Sequence, residues 1–322
     1  MLPVTMKRAA AVLALCALPL LAACGRNTPL PKAGAIAAAL QGNHHFDHFL
    51  IVLLENEDAS TVRAIPYMDS LARSGVYLSN YYAVAHPSYP NYLALVSGQT
   101  FIDSPHASED PIAHTEKDFG DAQLLIDAPS LADRLESAKL TWDVFAEDYP
   151  VMDSVPLRCD FSRASGNYSR KHVPFLSFKE FRDNTRLCAH VRNLKWLRPD
   201  SLAAYTMVIP NMIHDGHDAP LSTAVKWLRG FLKPIITNPE QMQSTLVMVT
   251  FDESETSGRE KIFGARRPNL IYAALLGGML KNGTVSNEPF THFSTLRLVE
   301  ENFGLSPSLA PAGTNAIDGV WK

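Results

Sequence analysis

The chain predicts an α/β protein built on a doubly wound, mostly parallel sheet, and three observations point there. Largely apolar runs of strand length recur at residues 46–54, 205–210, 245–251 and 270–276, which is how strands read when a parallel sheet is covered on both faces. Segments with helical spacing alternate with these runs along the chain. Polar or acidic residues follow several of the runs directly, at the carboxyl ends where open α/β sheets collect their ligands.

Each element has its own signal. Residues 46–54 form the first strand. Residues 66–73 make a short amphipathic helix opened by Pro66 and ended at Gly75. A second strand, 76–82, feeds the run HPSYPNYLALVSG at 86–98. There Pro90 suits the first helical position, and Asn91, Tyr92, Leu93, Leu95 and Val96 continue with an apolar face. Residues 130–138 read as a helix with Ser130 as N-cap and Asp133 completing a capping box; 141–145 follow as a strand. The helix at 221–236 carries Val225, Leu228 and Leu232 on one side. A last helix, 293–303, ends at Gly304. The turn-rich stretch 147–187 reads as an elaborated loop or cap, clamped near its edge.

Of the 322 residues, 46% are hydrophobic and 19% charged, enough for one large core. The formal net charge of −4 excludes the basic surplus of a dedicated nucleic-acid binder. No nucleic-acid partner is expected, and any specificity for an anionic ligand must come from a local site rather than from the overall charge.

Residues 1–23 are an address rather than fold. Lys7 and Arg8 precede an apolar stretch at 9–23, too short for a spanning helix of about 20 residues. Leu21-Ala22-Ala23-Cys24 matches a bacterial lipoprotein processing box, with Cys24 as the lipid-bearing residue. Residues 24–44, rich in Ala, Pro and Gly, form a tether, and 45–322 form the folded domain. Gly25 after the cysteine resembles lipoproteins sorted to the outer membrane, so a lipid-anchored place in the cell envelope, on the periplasmic side, is expected. Cys16 leaves with the signal. Cys159 and Cys188 remain as an even pair in an oxidising compartment, which predicts a disulfide. Chain entropy would make such a bridge worth about 3–4 kcal/mol.

Chemistry gathers at the element ends. Ser88 precedes a helix whose unpaired N–H groups and positive dipole end make a seat for phosphate. Glu55-Asn56 follow five apolar residues and offer two hard oxygen ligands; Asp252-Glu253 repeat the arrangement after another strand. The run PNMIHDGHD at 210–218 brings Asp215 and His217, which suit either a metal or the binding and protonation of a phosphate oxygen. Arg170-Lys171-His172 reads as a cationic binding segment or as a basic loop facing water. His292 opens the last helix, where a structural cap is the commoner use, and His86 stands beside the serine. There is no G-x-S-x-G elbow, Walker A run, G-x-G-x-x-G or H-E-x-x-H. The pattern reads as metal-assisted chemistry on a phosphate ester.

In this order the motifs resemble the phosphoesterase family of fungal and bacterial acid phosphatases and phospholipases C, whose fold is similar to that of alkaline phosphatase. The resemblance covers most of 45–305. It rests on Leu54-Glu55-Asn56-Glu57-Asp58, His86-Pro87-Ser88 with Pro90-Asn91-Tyr92, Glu147-Asp148 with Pro150, and Lys171-His172 before Pro174. Pro210-Asn211 with Asp215-Gly216-His217-Asp218, Thr250-Phe251-Asp252-Glu253, and His292 with Glu300 and Asn302-Phe303-Gly304-Leu305 complete it. The resemblance implies that Ser88 is the nucleophile and that Glu55, Asn56, Asp252 and Glu253 hold one or two divalent metal ions. It also implies that Lys171, His172, Asp215, His217 and His292 line the phosphate and leaving-group side. His172 or His217 would donate a proton to the leaving oxygen. The activity expected is hydrolysis of phosphomonoesters through a phosphoserine, as in an acid phosphatase. The alternatives are phosphodiester cleavage of the phospholipase C type and an inactive envelope lipoprotein that only binds.

Overall fold

The computed structural model describes residues 44–109, 123–153, 158–161, 166–255 and 269–322, with the short strands Lys261–Ile262 and Ala265–Arg266. The signal segment, Cys24 and the tether up to residue 43 lie outside the described residues. Among the described residues no helix is long and apolar enough to cross a membrane.

Eight strands form the main sheet: β1 His48–Leu54, β2 Val76–Leu78, β3 Trp142–Ala146, β4 Val191–Asn193, β5 Tyr205–Ile209, β6 Thr245–Phe251, β7 Ala273–Leu276 and β8 Thr284–Ser286. Their order is β8-β2-β7-β6-β1-β5-β3-β4. Every pairing is parallel except those of β7, which runs against both β6 and β2. The sheet is therefore mixed and mostly parallel. At its centre β1 lies between β5 and β6, with Leu54 in register with Phe251. All seven residues of β6 are buried. Because alternate side chains point to opposite faces, a fully buried strand means that both faces are covered.

Among the described residues five helices of seven or more residues supply the cover: α1 Pro66–Ser74, α2 Tyr89–Ser97, α3 Leu131–Ser137, α4 Leu221–Ile236 and α5 His292–Phe303. α2 packs on α5 and α3, while α1 packs on α4 and on β7. Every residue of α2 is buried, as expected of a helix held between neighbours on all sides. Ser130 forms the expected capping box with Asp133. Gly304 ends α5 in the left-handed conformation, with φ 62°.

Two strands differ from expectation. Residues 76–82 break into β2 and a separate pair, Tyr81–Tyr82, which leaves the main sheet to pair with Phe290–Thr291. The break has a cause in Ser79 and Asn80, whose side chains bond Ser286, Asn287 and the carbonyl of Asn287. Residues 270–272 likewise stand outside β7, with Leu270 bridged to Tyr82. In α2, Tyr89 rather than Pro90 is the first helical residue.

The disulfide between Cys159 and Cys188 is present, with Cα atoms 4.9 Å apart. Cys188 lies in the 3-10 turn Leu187–His190 that leads into β4, so the bridge fastens the cap segment to the sheet edge.

Candidate active site

Register builds the site. Because β1 and β6 end side by side, the residues that follow them meet: the Asp252 amide bonds the Leu54 carbonyl at 2.9 Å, and the Asn56 amide bonds Asp252 Oδ1 at 3.0 Å. The Glu55 amide bonds the Asp215 carbonyl at 3.0 Å, which draws in the turn after β5. Asn56 takes φ 49°, a left-handed kink that asparagine tolerates better than most residues. Gly216, at φ 107°, permits close approach: a Cβ there would stand 3.4 Å from the Glu55 carbonyl oxygen.

Ser88 is the N-cap of α2, 2% exposed, and its side chain makes no capping bond. Its hydroxyl instead donates to Glu55 Oε2 at 3.0 Å, with Asn56 Oδ1 at 3.4 Å. The loop before it is fixed by Asn91. That side chain accepts from the amides of Val84 and Ala85 at 2.9 Å each, and donates to the Ala85 carbonyl at 3.0 Å.

Lys171 and His172 lie on the 3-10 turn Arg170–His172 and are buried, so the reading of this segment as a solvent-facing basic loop is set aside. Two buried cationic side chains followed by a buried imidazole need polar partners. Arg170 donates to Gln123 Oε1 and the Leu176 carbonyl, each at 2.7 Å. His172 Nε2 stands 3.3 Å from Glu55 Oε1, and its Nδ1 stands 3.7 Å from Asp215 Oδ2.

The remaining expected residues lie around this centre with different partners. Glu253 Oε2 is 2.5 Å from His86 Nδ1. The His217 ring, 20% exposed, bonds Asp218 Oδ1 at 2.7 Å, and its amide donates to Asp215 Oδ1. His292 is aimed at the backbone: its Nε2 donates to the Asp252 carbonyl at 2.7 Å, with the Tyr81 hydroxyl 3.3 Å from Nδ1. Burial pushes His292 down to about 4, so this ring is neutral and holds the strand end in place.

Electrostatics set the tone of the cluster. Burial first, then the charges of Asp252 and Asp215, hold the Glu55 carboxyl well above the carboxylate range, while Lys171 pulls the other way. Burial, then Glu253, pushes Asp252 up to about 7. Asp215 is raised by burial and by Asp252, against the pull of the His217 amide. His172 is held well below its ordinary value by burial, Lys171 and His217. Two buried oxygens, Asp252 Oδ2 and Asp215 Oδ2, have no hydrogen-bond partner. Among the described residues no group of three or more His, Cys, Asp or Glu side chains is placed to hold a metal ion. The set converging on Ser88 consists of carboxylate, amide and hydroxyl oxygens.

Sequence reasoning gave no role to three residues. Tyr92 donates its hydroxyl to Glu55 Oε1 and lies flat against His172. Asn269 accepts from the amide and hydroxyl of Ser254 and donates to the Ala85 carbonyl, tying the strand end after β6 to the Ser88 loop. His214 donates to Glu147 at 2.9 Å, linking the ends of β5 and β3. Glu300 and Asn302, by contrast, are structural: Glu300 accepts from Leu309 and Ser308, and Asn302 from the amides of His45 and Phe46.

Comparison with known proteins fixes the class. The chain belongs to the Phosphoesterase family, whose model matches residues 55–306. A probable acid phosphatase of Kluyveromyces lactis is 31% identical over 269 residues, 81% of this chain and 59% of that protein. The phosphate-repressible acid phosphatase of Penicillium chrysogenum is 30% identical over 284 residues, 85% of this chain and 63% of that one. The chain thus spans about three fifths of the length of these fungal relatives. A phosphatidylinositol-3-phosphatase of Mycobacterium tuberculosis is 30% identical over 298 residues, 91% of this chain and 87% of that protein. Among solved structures, a Vibrio parahaemolyticus protein of the alkaline phosphatase superfamily superposes with a TM-score of 0.51. Its identity is 12%, over 83% of this chain and 70% of that one. At that identity the likeness is one of fold alone.

Proposed function

We propose that the protein is a phosphomonoesterase of the acid phosphatase type that works through a phosphoserine at Ser88. The observation that carries this reading is the Ser88 hydroxyl: buried at a helix N-terminus, left without a capping role and held 3.0 Å from Glu55 Oε2. A structural serine at an N-cap would spend its oxygen on the helix. The kinship with a phosphatidylinositol-3-phosphatase over 91% of this chain and 87% of that one, together with the buried Lys171, favours a dianionic phosphomonoester over a diester.

The residues fit a divalent metal ion. Glu55, Asn56 and Asp252 offer hard oxygens around Ser88, the Asp252 Oδ2 atom is buried without a hydrogen bond, and the carboxyls crowd one another. When bound, such an ion would supply Lewis-acid polarisation and an activated serine oxygen. Glu253, the fourth expected ligand, has its Oε2 against His86 Nδ1. The Ser88 oxygen forms a bond to phosphorus in line with the departing ester oxygen, and Glu55 Oε2 is placed to accept the serine proton. Lys171 and the α2 N-terminus face the charge that develops on the phosphoryl oxygens. His217, at the rim and paired with Asp218, is better placed than neutral, buried His172 to protonate the leaving alcohol. Water then attacks phosphorus from the vacated side, giving its proton to the now neutral His217, while the bond between phosphorus and the Ser88 oxygen breaks and Glu55 returns the proton to that oxygen.

The testing experiment offers the purified protein an aryl phosphomonoester and an aryl phosphodiester, before and after chelation and with a panel of divalent ions. Monoester turnover abolished by chelation is expected. Faster diester cleavage would favour the phospholipase C type, and no turnover of either would leave a binding protein. A separate proposal concerns location: Leu21-Ala22-Ala23-Cys24 supports lipid attachment at Cys24 and a place in the cell envelope. Cys24→Ser should abolish incorporation of labelled fatty acid; unchanged labelling would contradict it.

A further inference from the structure

Ser88 and Tyr92 are four residues apart, one turn of helix, so their side chains leave α2 on the same face. Both reach Glu55, and each takes a different oxygen. The Ser88 hydroxyl donates to Oε2 at 3.0 Å, and the Tyr92 hydroxyl donates to Oε1. His172 Nε2 stands 3.3 Å from that same Oε1. The Tyr92 ring also lies flat on the His172 imidazole, with centroids 4.8 Å apart and planes within 2°. One side chain therefore touches both Glu55, which holds the Ser88 hydroxyl, and His172, which stands against the other Glu55 oxygen, without contacting the Ser88 oxygen itself.

The backbone of Glu55 is fixed by the Asp215 carbonyl, but the terminal torsion of a glutamate is broad and roughly two-fold. Nothing in the strand dictates which way the carboxylate plane turns. A fully buried tyrosine hydroxyl, for its part, needs an acceptor. The two needs meet in a single bond.

We infer that Tyr92 is a positioning residue for phosphoryl transfer. It sets the rotation of the Glu55 carboxylate so that one oxygen faces Ser88, and it sets the plane of His172. Because the clamp and the nucleophile share one helical turn, any shift of α2 moves them together and keeps the Ser88–Glu55 alignment. The inference rests on the reading of Ser88 as nucleophile.

Tyr92→Phe keeps the stacked ring and removes only the donor; Tyr92→Leu removes both. For Tyr92→Phe, kcat on an aryl phosphomonoester should fall about 10- to 100-fold, the scale of a small misplacement of reacting groups. KM should stay within about twofold and the unfolding midpoint near that of the parent. A crystal structure of the Phe variant should show the Glu55 carboxylate rotated away from Ser88. Tyr92→Leu should lose more kcat and also raise KM, because the His172 plane is released. If Tyr92→Leu fails to fold, the Phe variant carries the test alone. Parental kcat in Tyr92→Phe overturns the inference. So does Glu55 still within hydrogen-bond distance of Ser88 in its crystal structure, whatever the activity. If the parent protein hydrolyses no phosphoester at all, the functional reading falls, while the Glu55 orientation still decides whether Tyr92 positions it.

Discussion

Asp252 shows how much one side chain can be asked to do. Its Oδ1 accepts the Asn56 amide, its carbonyl accepts His292, and its Oδ2 is buried with no hydrogen-bond partner. An unpartnered buried carboxylate oxygen costs several kcal/mol unless a cation or proton compensates. Asp252→Asn keeps the size and removes the charge. Activity should fall at least about 100-fold, a loss of about 2.7 kcal/mol of transition-state stabilisation. Elemental analysis of the same variant should find the divalent ion reduced or lost. Full activity with a full complement of metal would place the ion elsewhere.

At the scale of elements, α2 is anchored by its end. Gly98 ends it at φ 70°, and a Cβ there would lie 1.9 Å from the Leu309 carbonyl oxygen. Gly98→Ala therefore combines left-handed strain of about 1–3 kcal/mol with a backbone clash. The denaturation midpoint should drop accordingly; an unchanged midpoint would mean that the chain around Leu309 can move aside freely. The elements that could be read from sequence were those whose burial is local knowledge. Thr245–Phe251 and Leu221–Ile236 match the reading residue for residue because a strand covered on both faces and a helix with one apolar stripe write their patterns directly. The strands Val191–Asn193 and Thr284–Ser286 are three residues long and partly polar, and only their neighbours in the sheet make them strands. The site divides in the same way. Glu55, Asn56, Ser88 and Asp252 stand at strand and helix ends, so their meeting follows from topology. The grip of Tyr92 on Glu55 spans 37 positions and that of His292 on the Asp252 carbonyl spans 40. No local pattern signals such pairings.

For the whole molecule, the crowded carboxyls tie stability to pH. Asp252 is raised from 3.8 to about 7, and Glu55 and Asp215 are raised too, mainly by burial. The folded protein thus keeps protons that the unfolded chain releases above about pH 4. This contribution to the stability of the metal-stripped protein is lost as pH rises, for Asp252 through about 7. The burial-lowered His172 and His292 add stability as pH rises toward about 6.5. The carboxyl part is therefore read as the difference between the parent and Asp252→Asn, which should shrink from about pH 4 to about 7. Restoring a divalent ion should flatten that slope, because the ion takes the place of the protons. Thermal midpoints measured across this range, with chelator and with added ion, check both parts. A parent-minus-variant difference that grows over the same range would contradict the burial argument.

The measurement that bears most directly on the account is covalent trapping at Ser88. Protein incubated with a phosphoester labelled in its phosphoryl group, then quenched in acid, should carry the label on the peptide containing Ser88. Ser88→Ala should fold, bind the divalent ion and lose turnover by several powers of ten. Label on His172 or His217 instead, or near-parental turnover in the alanine variant, would contradict the serine mechanism.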